Sequence, residues 1–159
     1  TMHSWSHLGF GHAGTYSSMS FVSPWPDGTL DAVVFPVDGQ VDVPTSFDSD
    51  SEIPDPAPDH GVVGYPITVT VSAAETYGSD DDNPYDLRID DAVMWGPDGE
   101  EVEILTMDPS MDEYLFVMAA VVPLSPLQPD ATYEVEISVT YADQAQTLVT
   151  TFETEAPAE

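Results

Sequence analysis

The sequence predicts an all-β fold, a sandwich of two packed sheets. Three observations carry this. Apolar and polar residues alternate in several separate runs with the period of two that places every second side chain on one face of a strand. Clusters of Pro, Gly and Asp punctuate those runs at short intervals. No stretch has the i, i+3, i+4 spacing of an amphipathic helix. With 159 residues, 42% of them hydrophobic, the chain can fill the core of one domain, which a disordered acidic tail cannot.

In chain order, residues 30–35 (Leu-Asp-Ala-Val-Val-Phe) form a short strand ended by Pro36. Residues 36–64 hold prolines at 36, 44, 54, 56 and 58. Proline removes ladder donors and fixes φ, so this stretch reads as a long, irregular Pro/Asp-rich covering loop. Ile67, Val69 and Val71 alternate with Thr68, Thr70 and Ser72 in a half-buried strand, and an acidic loop, residues 75–85, follows. Leu87, Ile89, Val93 and Trp95 are expected to share the apolar face of the next strand, with Trp95 in the core. Pro97-Asp98-Gly99 then turns the chain, and Val102 and Ile104 return it as a hairpin. Residues 114–122 are apolar on both faces, which suits a central or doubly covered strand ended by Pro123. Tyr133, Val135, Ile137, Val139 and Tyr141 line one face of the clearest strand, residues 142–145 turn, and Leu148, Thr150 and Phe152 lie on the returning strand. The tail from Glu155 is expected to fray. This divides the chain into residues 1–26, the sandwich at 27–155, and a tail at 156–159.

The charge is extreme: one Lys or Arg, Arg88, against thirty Asp and Glu, for a net −29. Phosphate backbones and anionic membrane surfaces attract proteins through Lys and Arg, so nucleic acid and anionic membranes are poor partners for this chain. Cations and basic proteins remain, and so does plain solubility in a salty medium that screens the carboxylates. There is no cysteine, hence no disulfide and no thiolate chemistry, and no apolar run of ~18 residues to span a membrane. Residues 1–26 contain no Asp or Glu and hold His3, His7 and His12. The start at Thr1-Met2-His3 leads to the expectation that a signal peptide or a whole upstream domain precedes it.

Leu127-Gln128-Pro129-Asp130-Ala131-Thr132-Tyr133 resembles the L-x-P-x-x-x-Y approach to a late strand in fibronectin III and bacterial immunoglobulin-like modules. The resemblance implies a tyrosine corner, with the Tyr133 hydroxyl bonded back to the upstream backbone. Thr151-Phe152-Glu153-Thr154 looks like the last strand of such modules. Leu8-Gly9-Phe10-Gly11-His12-Ala13 is similar to the G-x-G strand near the end of bacterial CAP-superfamily domains, the cysteine-rich secretory, antigen 5 and pathogenesis-related group. Phe35-Pro36-Val37-Asp38-Gly39-Gln40-Val41-Asp42-Val43-Pro44 and Val63-Gly64-Tyr65-Pro66-Ile67 resemble the immunoglobulin-like region that follows such a domain in exported bacterial proteins. The paired His and Glu residues of a CAP cavity have no counterpart here, so no catalytic or metal-binding role is implied.

Calcium is the cofactor that the residues suggest. Asp48, Asp50 and Glu52 stand at alternate positions near Asp55 and Asp59, and Asp80, Asp81, Asp82 and Asp86 form a second cluster with Asn83. Calcium takes six to eight oxygens, which bent acidic loops can supply, although neither cluster has the EF-hand pattern. His3 and His7 are four apart, but Gly9, Gly11 and Gly14 argue against the helix that would align them. A free amine at Thr1 with His3 would chelate copper or nickel. There is no Gly-x-Ser-x-Gly elbow and no His-Glu-x-x-His, and carboxylate pairs carry no weight in so acidic a chain. Arg88 reads as structural, tying down an acidic loop. The functional expectation is a non-catalytic structural or interaction module, a spacer or adhesive unit of a secreted or cell-surface bacterial protein. A calcium-dependent carbohydrate- or protein-binding domain is the alternative.

Overall fold

The computed structural model describes residues 32–52, 55–71, 87–141 and 143–157. Within them the strands are β1 (Ala32–Phe35), β2 (Gln40–Val43), β3 (Phe47–Asp48), β4 (Val62–Val63), β5 (Ile67–Val71), β6 (Arg88–Trp95), β7 (Ile104–Met107), β8 (Met118–Pro123), β9 (Thr132–Tyr141) and β10 (Gln144–Thr154). They form two four-stranded sheets, β1-β5-β8-β7 and β2-β10-β9-β6, and a two-stranded piece, β3-β4. The main sheets have the ABED and CFG strand orders of an immunoglobulin-like sandwich, with β2 added beside β10.

The first strand is divided between the sheets. β1 pairs antiparallel with β5, and β2, four residues on, pairs parallel with β10. The turn between them, which contains a cis Phe35–Pro36 peptide, is fastened to β10. The buried Thr150 hydroxyl donates to the Pro36 carbonyl (2.9 Å), Thr151 N–H donates to the Asp38 carboxylate (3.0 Å), and Gly39 N–H donates to the Thr151 carbonyl (2.7 Å).

The core lies between the sheets. Tyr133, Val135, Ile137, Val139 and Tyr141 point inward from β9 and meet Ile67, Val69 and Val71 of β5, Ala119 and Val121 of β8, and Phe152 of β10. Burial of each such aliphatic side chain stabilises the fold by about 1.5–3 kcal/mol. The tyrosine corner is present: Gln128 N–H donates to the Tyr133 hydroxyl at 2.8 Å, and the Tyr133 ring stacks on Phe152 with centroids 5.8 Å apart. Thr154 reinforces the corner by accepting from Ala131 N–H (3.0 Å) and donating to the Gln128 carbonyl (2.7 Å).

β8 is buried on both faces, as its apolar run predicts. Ala119 and Val121 enter the main core, and Ala120 and Val122 face the other way into a second cluster with Ala57 and Val63, joined by Phe47, Leu105 and Met107. The Pro/Asp-rich stretch therefore does cover the first sheet. It is more regular than the sequence suggests, since it contains β2, β3 and β4. Buried Ser49 locks it, its N–H and hydroxyl both donating to the Gly61 carbonyl (2.9 and 2.8 Å).

The structure corrects five expectations. A β-bulge at Asp90 inserts one residue opposite β9, so Ala92 and Met94 take the inward positions and Val93 and Trp95 turn outward. Residues 114–117 are a 3-10 turn and loop, so β8 begins at Met118. The hairpin after Trp95 is short, and β7 leaves it to pair with β8 in the other sheet. Ala145 already belongs to β10, where Gln144 pairs with Tyr141. Glu155 is tied down: its N–H donates to the Val43 carbonyl (2.8 Å), its carbonyl accepts from Asp130 N–H (2.9 Å), and its carboxylate accepts from Thr45 N–H (3.3 Å).

Two predictions follow from this packing. The Tyr141 hydroxyl is buried and has no hydrogen-bond partner among the described residues, whereas that of Tyr133 holds the corner. Tyr133→Phe is expected to lower stability in urea by about 1 kcal/mol, and Tyr141→Phe to leave it unchanged or raised. Gly64 N–H donates to the Pro123 carbonyl at 2.8 Å, and a Cβ on Gly64 would lie 2.6 Å from Pro123 Cβ and 2.9 Å from the Ser125 carbonyl oxygen. Gly64→Ala is therefore expected to cost about 1–3 kcal/mol by the same measurement.

Candidate functional site

Two surfaces of the sandwich present chemistry to solvent. The first is the pole where the chain arrives at Ala32. Ala32 pairs with Val71, Thr70 with Met118, Arg88 with Thr140 and Tyr141 with Gln144, so all these strand ends lie at one end of the sandwich. β5 ends and β6 begins there, residues 108–117 join β7 to β8, and β9 gives way to β10.

The 108–117 connection is built on Asp108. Its carboxylate is buried, accepting from Ile89 N–H in the opposite sheet (3.1 Å) and from Ser110 N–H (2.9 Å) and hydroxyl. Asp112 then starts the 3-10 turn by accepting from Tyr114 N–H (2.9 Å). This frame leaves Met111 66% exposed and Tyr114 70% exposed, and Phe116 sits at φ 53°, a backbone region that bulky residues seldom adopt. Asp108-Pro109-Ser110 and Asp112 carry turn signals just ahead of the apolar run that reads as strand.

The second surface is the outer face of the sheet β2-β10-β9-β6. Among the described residues the covering stretch lies over the other sheet and none lies over this one. Register sets its rows: Trp95 beside Glu134 beside Thr151, Val93 beside Glu136 beside Val149, Asp91 beside Ser138 beside Thr147, and Arg88 beside Thr140 beside Ala145. Glu101 extends the first row, since it pairs with Trp95 on the side away from Glu134. Hydroxyl bonds knit the lower rows, Ser138 with Thr147 at 3.0 Å and Thr140 donating to Asp90 at 2.6 Å.

Of the calcium candidates, Asp48 ends β3 and is exposed, Asp50 is exposed on the following 3-10 turn, and Glu52 closes that turn with its N–H on the Ser49 carbonyl. Among the described residues no three His, Asp or Glu side chains gather into a group that could hold a metal ion. Asp80 and Asp82 lie outside the described residues, as do His3, His7, His12, Trp5 and Trp25. Arg88 is exposed at the start of β6. Among the described residues no helix is long and apolar enough to cross a membrane. Burial pushes the hydroxyl pKa of Tyr65 above its ordinary value of 10.0. The folded state thus holds that proton where the unfolded chain releases it, and this contribution to stability is complete below pH 10 and lost above it. No family model matches the chain, and no curated protein matches it.

Asp108 is the described carboxylate with the most structural work to do. Asp108→Ala is expected to cost about 2–3 kcal/mol, because Ile89 N–H is left without its acceptor, and to speed amide exchange across residues 109–117. Hydrogen exchange by NMR measures both.

Proposed function

We propose that this chain is a non-catalytic structural or interaction module, a spacer or adhesive unit of a secreted or cell-surface bacterial protein, of the kind that follows a CAP-superfamily domain. The observation that carries the reading is the polarity of the fold. The chain arrives at Ala32 at one pole and leaves after Thr154 at the other, as neighbours in a linear array require. β10 alone, with 11 residues, spans roughly 33 Å of that axis. The use of the acids agrees with this. Asp38, Asp55, Asp108 and Asp112 accept backbone N–H groups at turns, and Glu134, Glu136 and Glu153 stand exposed on strands.

Antibody raised against the folded chain is expected to label the culture medium or intact, unpermeabilised cells of the producing organism. Signal confined to the cytoplasm overturns the reading. In the same cells, exchange of residues 32–155 for an unrelated sandwich of equal length separates the two forms: a spacer tolerates the exchange, and an interaction module loses surface retention or partner capture.

A further inference from the structure

We propose that the open face of the sheet β2-β10-β9-β6 docks an Arg- or Lys-rich segment of a partner protein, with a cationic side chain seated over Trp95 between Glu101 and Glu134. The proposal rests on the interaction form of the function above.

The geometry is set by the backbone. Trp95 and Glu101 are a narrow, non-hydrogen-bonded antiparallel pair, framed by Val102 N–H on the Met94 carbonyl (2.8 Å) and Gly96 N–H on the Glu100 carbonyl (2.9 Å). In such pairs the side chains stand close together on one face. Glu134 is the direct partner of Trp95 on its other side. An indole with a carboxylate at either flank is thereby held on a rigid sheet. Glu101, Glu134 and Glu136 are exposed, Trp95 is half-buried, and Val149 is 54% exposed in the adjoining row with Val93.

The chemistry selects the occupant. The ring face attracts an ammonium or guanidinium, the flanking carboxylates complete its charge, and Val93 and Val149 offer apolar surface to the aliphatic stem. Arginine suits the site better than lysine because its planar group stacks and donates in two directions. The chain's own arginine lies elsewhere. Its one Lys or Arg is Arg88, opposite Thr140, six residues along β9 from Glu134 and therefore roughly 20 Å away. A second copy would bring carboxylates against carboxylates, and a phosphate backbone would be repelled.

The test titrates the 159-residue chain at low ionic strength with an alternating Arg-Thr decapeptide, and with its Asp-Thr counterpart as control, by calorimetry and amide NMR. Binding of the Arg peptide alone is expected, with shifts concentrated on β6, β9 and β10. Trp95→Ala, and Glu101→Gln with Glu134→Gln, are expected to weaken it about tenfold. Trp95→Phe, which keeps an aromatic face, should retain most of it and guards against a folding defect in the alanine variant. Asp48→Asn with Asp50→Asn removes two charges from the covered side and is expected to weaken binding less than about twofold. Equal loss from both charge pairs, shifts spread over all acidic loops, or no binding at all overturns the proposal. Failure here together with partner loss on module exchange rejects this face and leaves the interaction reading standing.

Discussion

The two-sided burial of β8 is the constraint on which the rest of the architecture depends. A strand that reads Met-Ala-Ala-Val-Val-Pro has no polar face to give to water, and both of its sides are covered. One side is met by the opposite sheet. The other requires a second layer, and the Pro-rich stretch between β2 and β5 supplies it through Phe47, Ala57 and Val63. Gly64 lies so close to Pro123 because the chain must pass directly over the end of β8 to return from that layer to β5. An asymmetry follows among the described residues: one sheet carries a covering layer over β8 and the other carries none.

Thirty acidic residues also have to be placed without unfolding the chain, and several serve the backbone itself. Asp42, Asp59, Asp130 and Asp143 adopt positive φ, a conformation that Asp tolerates better than most residues. Others close turns by accepting main-chain N–H groups. The bulge at Asp90 beside Asp91 puts two exposed acids on β6, the end strand of its sheet, and charged, irregular edge strands resist pairing with further strands. Acidity here is therefore partly architectural and partly solvated surface.

The sequence made some of this legible. The alternation in β5, β9 and β10 and the corner at Tyr133 needed only period two and one motif, because each is written in contiguous residues. The bulge was not legible: nothing in Ile89-Asp90-Asp91-Ala92 signals that the strand gains a residue against β9, and that single insertion moved Trp95 from the expected core to the open face. The turn at residues 114–117 was hidden by its own apolar side chains, of which Tyr114 and Phe116 stay exposed on a backbone that Asp108 and Asp112 hold. Glu155 looked like tail because two of its three partners, Val43 and Thr45, lie 110 residues or more away in the chain. The acidic clusters were easy to see and uninformative for the same reason, their number. The open face was invisible in sequence, since its rows are assembled from three strands.

The division of the first strand between β1 and β2 has a mechanical consequence. Ala32 and Thr154 stand at opposite poles, so a pull between these two residues runs parallel to the strands. β2 and β10, the neighbours nearest the load, run in the same direction and share Thr154 opposite Val43 and Phe152 opposite Gln40. Tension drives them to slide past one another, and their bonds are strained together instead of opening in sequence. The Thr150 and Thr151 bonds to the connecting turn lie across the same shear plane and resist it alongside them. Sliding β2 along β10 therefore requires these bonds to break together.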